Sequence, residues 1–321
     1  MKQHRIGDFY PEYCKALDWA VALVDPIPDY CRRFFEYRDI LQKQLVEFEE
    51  NEKPKTTTVP EMREHAEAFL EACALVDIHE RFYGRTDKEF KVKLRESFFG
   101  PQYASDEEKG GKTNKGSFGR NIESELILAS RFKYLDKVSF EEHDIVYDLG
   151  DTKFGTEVKR IQEESGIVDL FADACQQLEA NPNIEYGMVV LRFDKYMFMT
   201  SKGKILLTRP TLLHRENIIL KAKDDKEIFD YYENQTETFH KQFESELRRR
   251  MIRGGYKKVA GYCVYIYSSF LKGDPIVIFS AGYASYMLWH SDREPKRKEV
   301  FFRIMEELDF HGNKPDIRNF N

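Results

Sequence analysis

The sequence predicts an α/β protein with a helical N-terminal part, and three observations carry that prediction. Apolar residues recur at helical spacing through about the first hundred positions. Beyond a polar stretch rich in glycine and lysine, short apolar runs alternate with helical ones in the order helix, three strands, helix, strand. Within that alternation, Gly150-Asp151 lies between apolar and aromatic residues, a pair suited to the positive φ angles of a two-residue hairpin turn. The expected parts are a helical domain over 1–99, a flexible linker over 100–117, an αβββαβ core over 118–200 and a mixed α+β extension over 201–321.

Each element has its own signal. Tyr13, Leu17, Ala20, Val21 and Val24 form a helical stripe that Pro26 and Pro28 end. Further helices are expected from 29 to about 50 and from 60 to 82, with a fourth after the start signal Thr86-Asp87. The run from 100 to 119 is nearly devoid of apolar residues and reads as a mobile tether. Ile122, Leu126, Ala129 and Lys133 trace one helix face as far as Tyr134. A strand over 138–140, the hairpin, a helix over 167–178 and a buried strand over 186–193 complete the core. The extension is expected to hold a long helix over 226–253, strands over 259–267 and 275–279, and a helix opened by Pro295.

Composition narrows the functional classes. The chain has 321 residues, 41% hydrophobic and 33% charged, with a net charge of −6. That balance argues against a surface uniformly coated for nucleic acid, although a local basic patch is compatible with it. Cys14, Cys31, Cys73, Cys175 and Cys263 are scattered, odd in number and without C-x-x-C spacing. They read as reduced thiols. No run approaches the ~18 apolar residues of a membrane span, and the first residues lack a signal-peptide core. A cytoplasmic protein is expected.

The hairpin carries the chemistry. With Gly150-Asp151 as its loop, Leu149 pairs with Thr152 and Asp144 falls opposite Glu157, Cβ atoms about 5 Å apart. Asp144, Glu157 and Lys159 then share one face, while Ile145, Tyr147, Phe154 and Val158 share the other. Facing carboxylates repel unless something neutralises them, and a divalent cation does so. Magnesium takes oxygen ligands, keeps several waters and needs only one or two carboxylates. It supports phosphodiester hydrolysis by stabilising charge and providing a nucleophilic water. Lys159 is placed to contact phosphate or orient that water. On the preceding helix Glu123 or Glu125 is the third acidic candidate. A solvated sheet face is the plain alternative; it suits Asp148 beside Lys153 better than it suits Asp144 opposite Glu157. Asp148 is the fallback ligand if the loop is longer, and His143 reads as a structural or capping side chain.

This segment resembles the PD-(D/E)xK nuclease superfamily in element order and in Asp144…Glu157-Val158-Lys159, with His143 where the signature has proline. Gly119-Arg120-Asn121-Ile122-Glu123-Ser124-Glu125-Leu126 is similar to the first helix of archaeal Holliday-junction resolvases, which favours Glu123 over Glu125. The resemblance covers residues 117–195, about a quarter of the chain. It implies a restriction-endonuclease-like core. Asp144, Glu157, Glu123 and the main-chain carbonyl of Val158 would be ligands of Mg²⁺, with Mn²⁺ as substitute, and Lys159 would assist the water. It further implies duplex DNA as substrate, a role in restriction or phage defence, and a homodimer or partner subunit. The competing expectations are an inactive nuclease-fold binding or scaffold protein, and an RNA endonuclease.

Tripeptides of the Glu/Asp-x-Lys type also occur at Glu107, Asp151, Asp224 and Glu294, so the conjunction of elements carries the resemblance. Seven basic against two acidic residues over 241–258, including Arg248, Arg249, Arg250, Arg253, Lys257 and Lys258, form the candidate nucleic-acid surface. The same residues also suit the negative end of a helix. Lys109, Lys112 and Lys115 read as a solvated tether. Gln162, Gln176 and Gln177 are assigned no role, and Tyr262, Tyr265, Tyr267 and Phe270 read as strand packing.

Overall fold

The computed structural model describes residues 2–4, 6–24, 26–29, 31–51, 59–101, 116–141, 145–161, 163–193, 197–199, 205–207, 225–272, 277–288, 295–308 and 316–319. Asp144, His143, Gln162, the tether lysines and most of the expected linker lie outside them. The described chain is α/β, with eight α-helices and a five-stranded mixed sheet. None of its helices is long and apolar enough to cross a membrane. The five cysteines are free.

The chain divides into two compact units. The first comprises residues 1–130, 210–223 and 268–281. It holds α1 (Ile6–Val24), α2 (Arg33–Asn51), α3 (Val59–Phe82), α4 (Lys88–Glu96) and α5 (Phe118–Ala129). The stripe predicted for α1 is its core face: Tyr13, Leu17, Ala20 and Val24 are buried, Tyr13 stacking on Phe9 and donating its hydroxyl to the Phe34 carbonyl, and Phe9 packing on Phe69. Asp87 caps α4, its carboxylate accepting the Phe90 N–H at 3.0 Å. α5 ends at Ala129, five residues short of the expected Tyr134. The Ser130 hydroxyl donates to the Ile127 carbonyl, and residues 131–134 turn away into a bridge between Phe132 and Leu308.

The second unit comprises residues 131–209, 224–267 and 282–321. Strands β2 (Val138–Phe140), β3 (Ile145–Asp148) and β4 (Lys153–Ile161) form an antiparallel meander. α6 (Ile167–Ala180) crosses over to β5 (Tyr186–Phe193), which runs parallel to β4. α7 (Asp225–Gly254) precedes β8 (Val259–Lys272), parallel to β5. Parallel neighbours require such crossovers. β4 is an interior strand between β3 and β5 and is buried along both faces from Phe154 onward, Lys159 being half-buried. Met197–Met199 and Ile205–Leu207 form a separate ribbon, β6 and β7. The last strand expected in the extension, over 275–279, is the longer β9 (Val277–Leu288), joined in parallel by β10 (Asp316–Asn319). Within the first unit, β1 (Lys2–His4) pairs with residues 278–280 of β9.

The hairpin has the register its turn demands. Ile145 pairs with Thr156, Val146 with Gly155, Tyr147 with Phe154 and Asp148 with Lys153. Gly150 takes φ +92°, and the Leu149 N–H donates to the Thr152 carbonyl at 3.0 Å, closing a two-residue loop. α8 (Pro295–Glu307) clamps this tip. Arg303 binds the Asp151 carboxylate at 2.9 Å and the Leu149 carbonyl at 3.0 Å, and Tyr147 donates to Glu307 at 2.9 Å. The Arg303 hydrogen bond holds the Asp151 carboxyl below its ordinary range.

α6 packs on the sheet over two glycines. Its buried stripe is Ile167, Phe171, Ala174, Cys175 and Leu178, the helical spacing of a core face. A Cβ on Gly187 would stand 2.8 Å from Leu178 and 2.9 Å from the Gly155 carbonyl, and one on Gly155 would stand 2.5 Å from Ile184. Two facing glycines therefore make the seat for Leu178. The Gly187→Ala protein is expected to lose about 1–3 kcal/mol of stability, the cost of overpacking a filled site. Urea unfolding measures it; an unchanged midpoint would show that α6 is not seated on these glycines.

Candidate active site

β4 presents Glu157 and Lys159 on one face, two residues apart. Val158 between them turns its side chain into the opposite, buried face. Glu157 is 4% exposed. The Lys159 ammonium donates to Glu157 Oε1 at 2.5 Å and to Gln177 Oε1 on α6 at 2.5 Å. Gln177 precedes Leu178, the residue seated on Gly155 and Gly187, so the close approach of α6 brings its amide to Lys159. An ammonium has three donors. Two are taken here, and the third remains for an oxygen outside this set.

Along β3 the described pairing reaches Ile145 opposite Thr156. Glu157 to Ile161 are paired on the other side, with Val189 to Phe193 of β5. Asp144, expected opposite Glu157, lies outside the described residues. Asp148 is exposed at the turn, and its carboxylate accepts the Gly150 N–H at 2.7 Å.

Glu123 belongs to the first unit, whereas Glu157 and Lys159 belong to the second. It is 2% exposed and accepts from the fully buried Arg33 Nη2 at 2.7 Å. Arg33 also faces Glu71 at 3.2 Å and donates to the Ser97 carbonyl. Arg120 joins the same cluster through Glu71 at 3.0 Å and the Tyr37 hydroxyl at 2.7 Å. Burial alone would lower the Arg33 pKa, but Glu123 and Glu71 raise it and keep the guanidinium charged. Glu125, the rival of Glu123, pairs with Lys93 of α4. Both α5 carboxylates are thus bound to cations of the N-terminal helices, where the sequence pattern assigned α5 to the core.

Burial pushes the Glu71 carboxyl up, and Arg120 and Arg33 overrule it, bringing it from an ordinary 4.5 to about 2. A folded-state pKa below the unfolded one stabilises fully above the unfolded value and is lost as pH falls through the folded value. Stability is therefore expected to fall as pH drops from about 4.5 toward 2. In the Glu71→Gln protein, urea unfolding followed across that range should show a flatter decline.

The basic residues in the last turns of α7 and just beyond it are partly engaged. Arg249 pairs with Glu246 at 2.5 Å and Arg250 with Asp169 at 3.3 Å, while Lys258 donates to the Asn181 carbonyl at the end of α6. The Lys257 and Lys258 N–H groups bind Glu179. Arg248, Arg249, Arg250, Arg253 and Lys257 keep exposed side chains, on elements bonded to α6. Tyr262 and Tyr265 are buried, Tyr262 sharing a 2.9 Å hydrogen bond with His240 Nδ1.

Among the described residues no group of three or more His, Cys, Asp or Glu gathers that could hold a metal ion. The donors on offer at β4 are the Glu157 carboxylate and main-chain carbonyls. An all-oxygen set of this kind suits magnesium, for which one or two carboxylates are enough. Sequence reading missed Gln177, because an exposed helical glutamine looks like any other helix former. The signal that marks it is its position next to Leu178, opposite two strand glycines. No protein-family model matches the chain, and no curated protein matches it.

Proposed function

We propose that the Glu157–Lys159 site is the hydrolytic centre of a metal-dependent nuclease, with duplex DNA as substrate and a role in restriction or phage defence. The observation that carries the reading is the ammonium of Lys159 held 2.5 Å from Glu157 on the interior strand β4, flanked by β3 and β5. The β2–β3–β4 meander, the α6 crossover and parallel β5 support a restriction-endonuclease-like core. Continuing the pairing by one residue would set Asp144 opposite Glu157, the two carboxylates proposed to hold Mg²⁺. The Val158 carbonyl is the proposed third oxygen. Glu123 is left out of this set because Arg33 already neutralises it.

When bound, magnesium supplies Lewis-acid stabilisation of the scissile phosphate and lowers the pKa of a water. Lys159 uses its third donor to hold a phosphate oxygen or the attacking water. Glu157 anchors the ammonium, and Val158 packs into the core and fixes the strand between them. The exposed basic residues Arg248, Arg249, Arg250, Arg253 and Lys257, with Lys258, are the proposed surface for the DNA backbone.

Calorimetric titration with Mn²⁺ separates this reading from a non-catalytic scaffold. Binding is expected for the native protein and is expected to be lost in Asp144→Ala and Glu157→Gln. Equal binding by all three proteins, or none by the native one, would contradict the assignment.

A further inference from the structure

We infer that Gln177 is a positioning residue for Lys159: its side-chain oxygen fixes the ammonium so that the third N–H faces the substrate phosphate. The inference rests on the nuclease reading for the identity of the substrate, but the pairing itself rests on geometry. Lys159 sits on a flexible four-carbon stem, and its side chain is 17% exposed. Such a side chain has many rotamers, and ordering it costs on the order of 1.5–2 kcal/mol. A bond to Glu157 alone, from the same strand, would let the ammonium swing about that carboxylate. A second acceptor from another element removes the swing, and Gln177 provides it at 2.5 Å from α6.

The distance is built in and does not depend on the glutamine alone. Leu178 is seated on Gly155 and Gly187, which lack the Cβ atoms that would lift α6 from the sheet. Gly155, Glu157 and Lys159 alternate onto the same face of β4, so the glycine under α6 and the lysine beside it belong to one row. α6 is thereby fixed in height over that row, and Gln177 is the side chain at its flank.

The residue type also matters. Glu157 already balances the charge of Lys159, so a carboxylate at position 177 would add a further negative charge beside the incoming phosphate. An amide gives the hydrogen bond without the charge. Two near-isosteric replacements separate these contributions. Gln177→Met keeps the volume and loses the acceptor. Gln177→Glu keeps the acceptor and adds a negative charge.

The test uses the full-length protein and single-turnover cleavage of duplex DNA with Mg²⁺. Gln177→Met should slow cleavage at saturating DNA by about 10–100-fold, the usual effect of removing a group that orients a reacting one, with DNA affinity unchanged. Gln177→Glu should recover much of the saturating rate but bind DNA more weakly. A purely structural role would instead lower both variants together, in step with their melting temperatures. A native rate in Gln177→Met, or parallel loss tracking stability, would overturn the inference.

A second readout needs no cleavage. The ¹⁵Nζ–H signal of Lys159 should be protected from exchange in the native protein and in Gln177→Glu, and lost in Gln177→Met. Protection that survives in Gln177→Met would overturn the pairing. Absence of cleavage by the native protein, with the protection pattern intact, would overturn only the nuclease reading.

Discussion

Lys159→Ala and Glu157→Gln are each expected to slow single-turnover cleavage of duplex DNA by about a hundred- to ten-thousand-fold, the range for losing a group that handles the reacting proton or charge. The two should differ in where the loss appears. Lys159→Ala removes the proposed donor to the phosphate but leaves the carboxylates, so Mn²⁺ binding should persist. Glu157→Gln removes a proposed metal ligand and the anchor of the ammonium, so binding and rate should fall together. Neither should unfold the protein. Lys159 is half-buried at the sheet surface, and glutamine reproduces the shape of Glu157. Rapid-quench assays on the two variants, with melting curves as controls, measure both effects. Cleavage at the native rate in both would remove Glu157 and Lys159 from the chemistry.

Arg33→Met is expected to cost about 3–5 kcal/mol of stability, among the largest single-residue effects in the chain. The guanidinium is fully buried and faces two carboxylates, Glu71 at 3.2 Å and Glu123 at 2.7 Å. Removing one member of a buried ion pair leaves the other charge in a poorly polarisable interior, and the penalty exceeds the value of the pair. Adding Glu123→Gln to Arg33→Met should restore part of the loss, because one stranded charge goes with it. Urea unfolding of the single and double variants measures the coupling. A double variant less stable than Arg33→Met would show that Glu123 is held by something other than this arginine.

The same cluster shows what a sequence can and cannot disclose. Local chemistry was readable: Gly150-Asp151 sets the hairpin register, Asp87 caps α4, and β2, β5 and α6 lie where period and turn residues put them. These signals act over a few residues. Arg33 and Glu123 are 90 residues apart, and nothing in either neighbourhood names the other. The assignment of α5 to the core followed its apolar stripe, whereas its polar residues bind Arg33, Glu71 and Lys93 in the helical unit.

The candidate site divides along the same line. Glu157 and Lys159 were legible because strand alternation puts positions two apart on one face. Gln177 was not, since its partner lies 18 residues away across a crossover. Asp151 was read only as a turn residue, yet its carboxylate is the grip by which Arg303 holds the hairpin tip. The engagement of Arg250 and Lys258 likewise depends on where α6 lies, which no run of basic residues reveals.

Divalent-metal-dependent hydrolysis of phosphodiesters is the activity proposed for this chain. Incubating the purified protein with labelled duplex DNA, single-stranded DNA and RNA, with Mg²⁺ and with chelator, tests it most directly. Cutting of duplex DNA that requires Mg²⁺ and stops in the Lys159→Ala protein is the expected result. No cutting of any polymer, or cutting that persists in chelator, would contradict it.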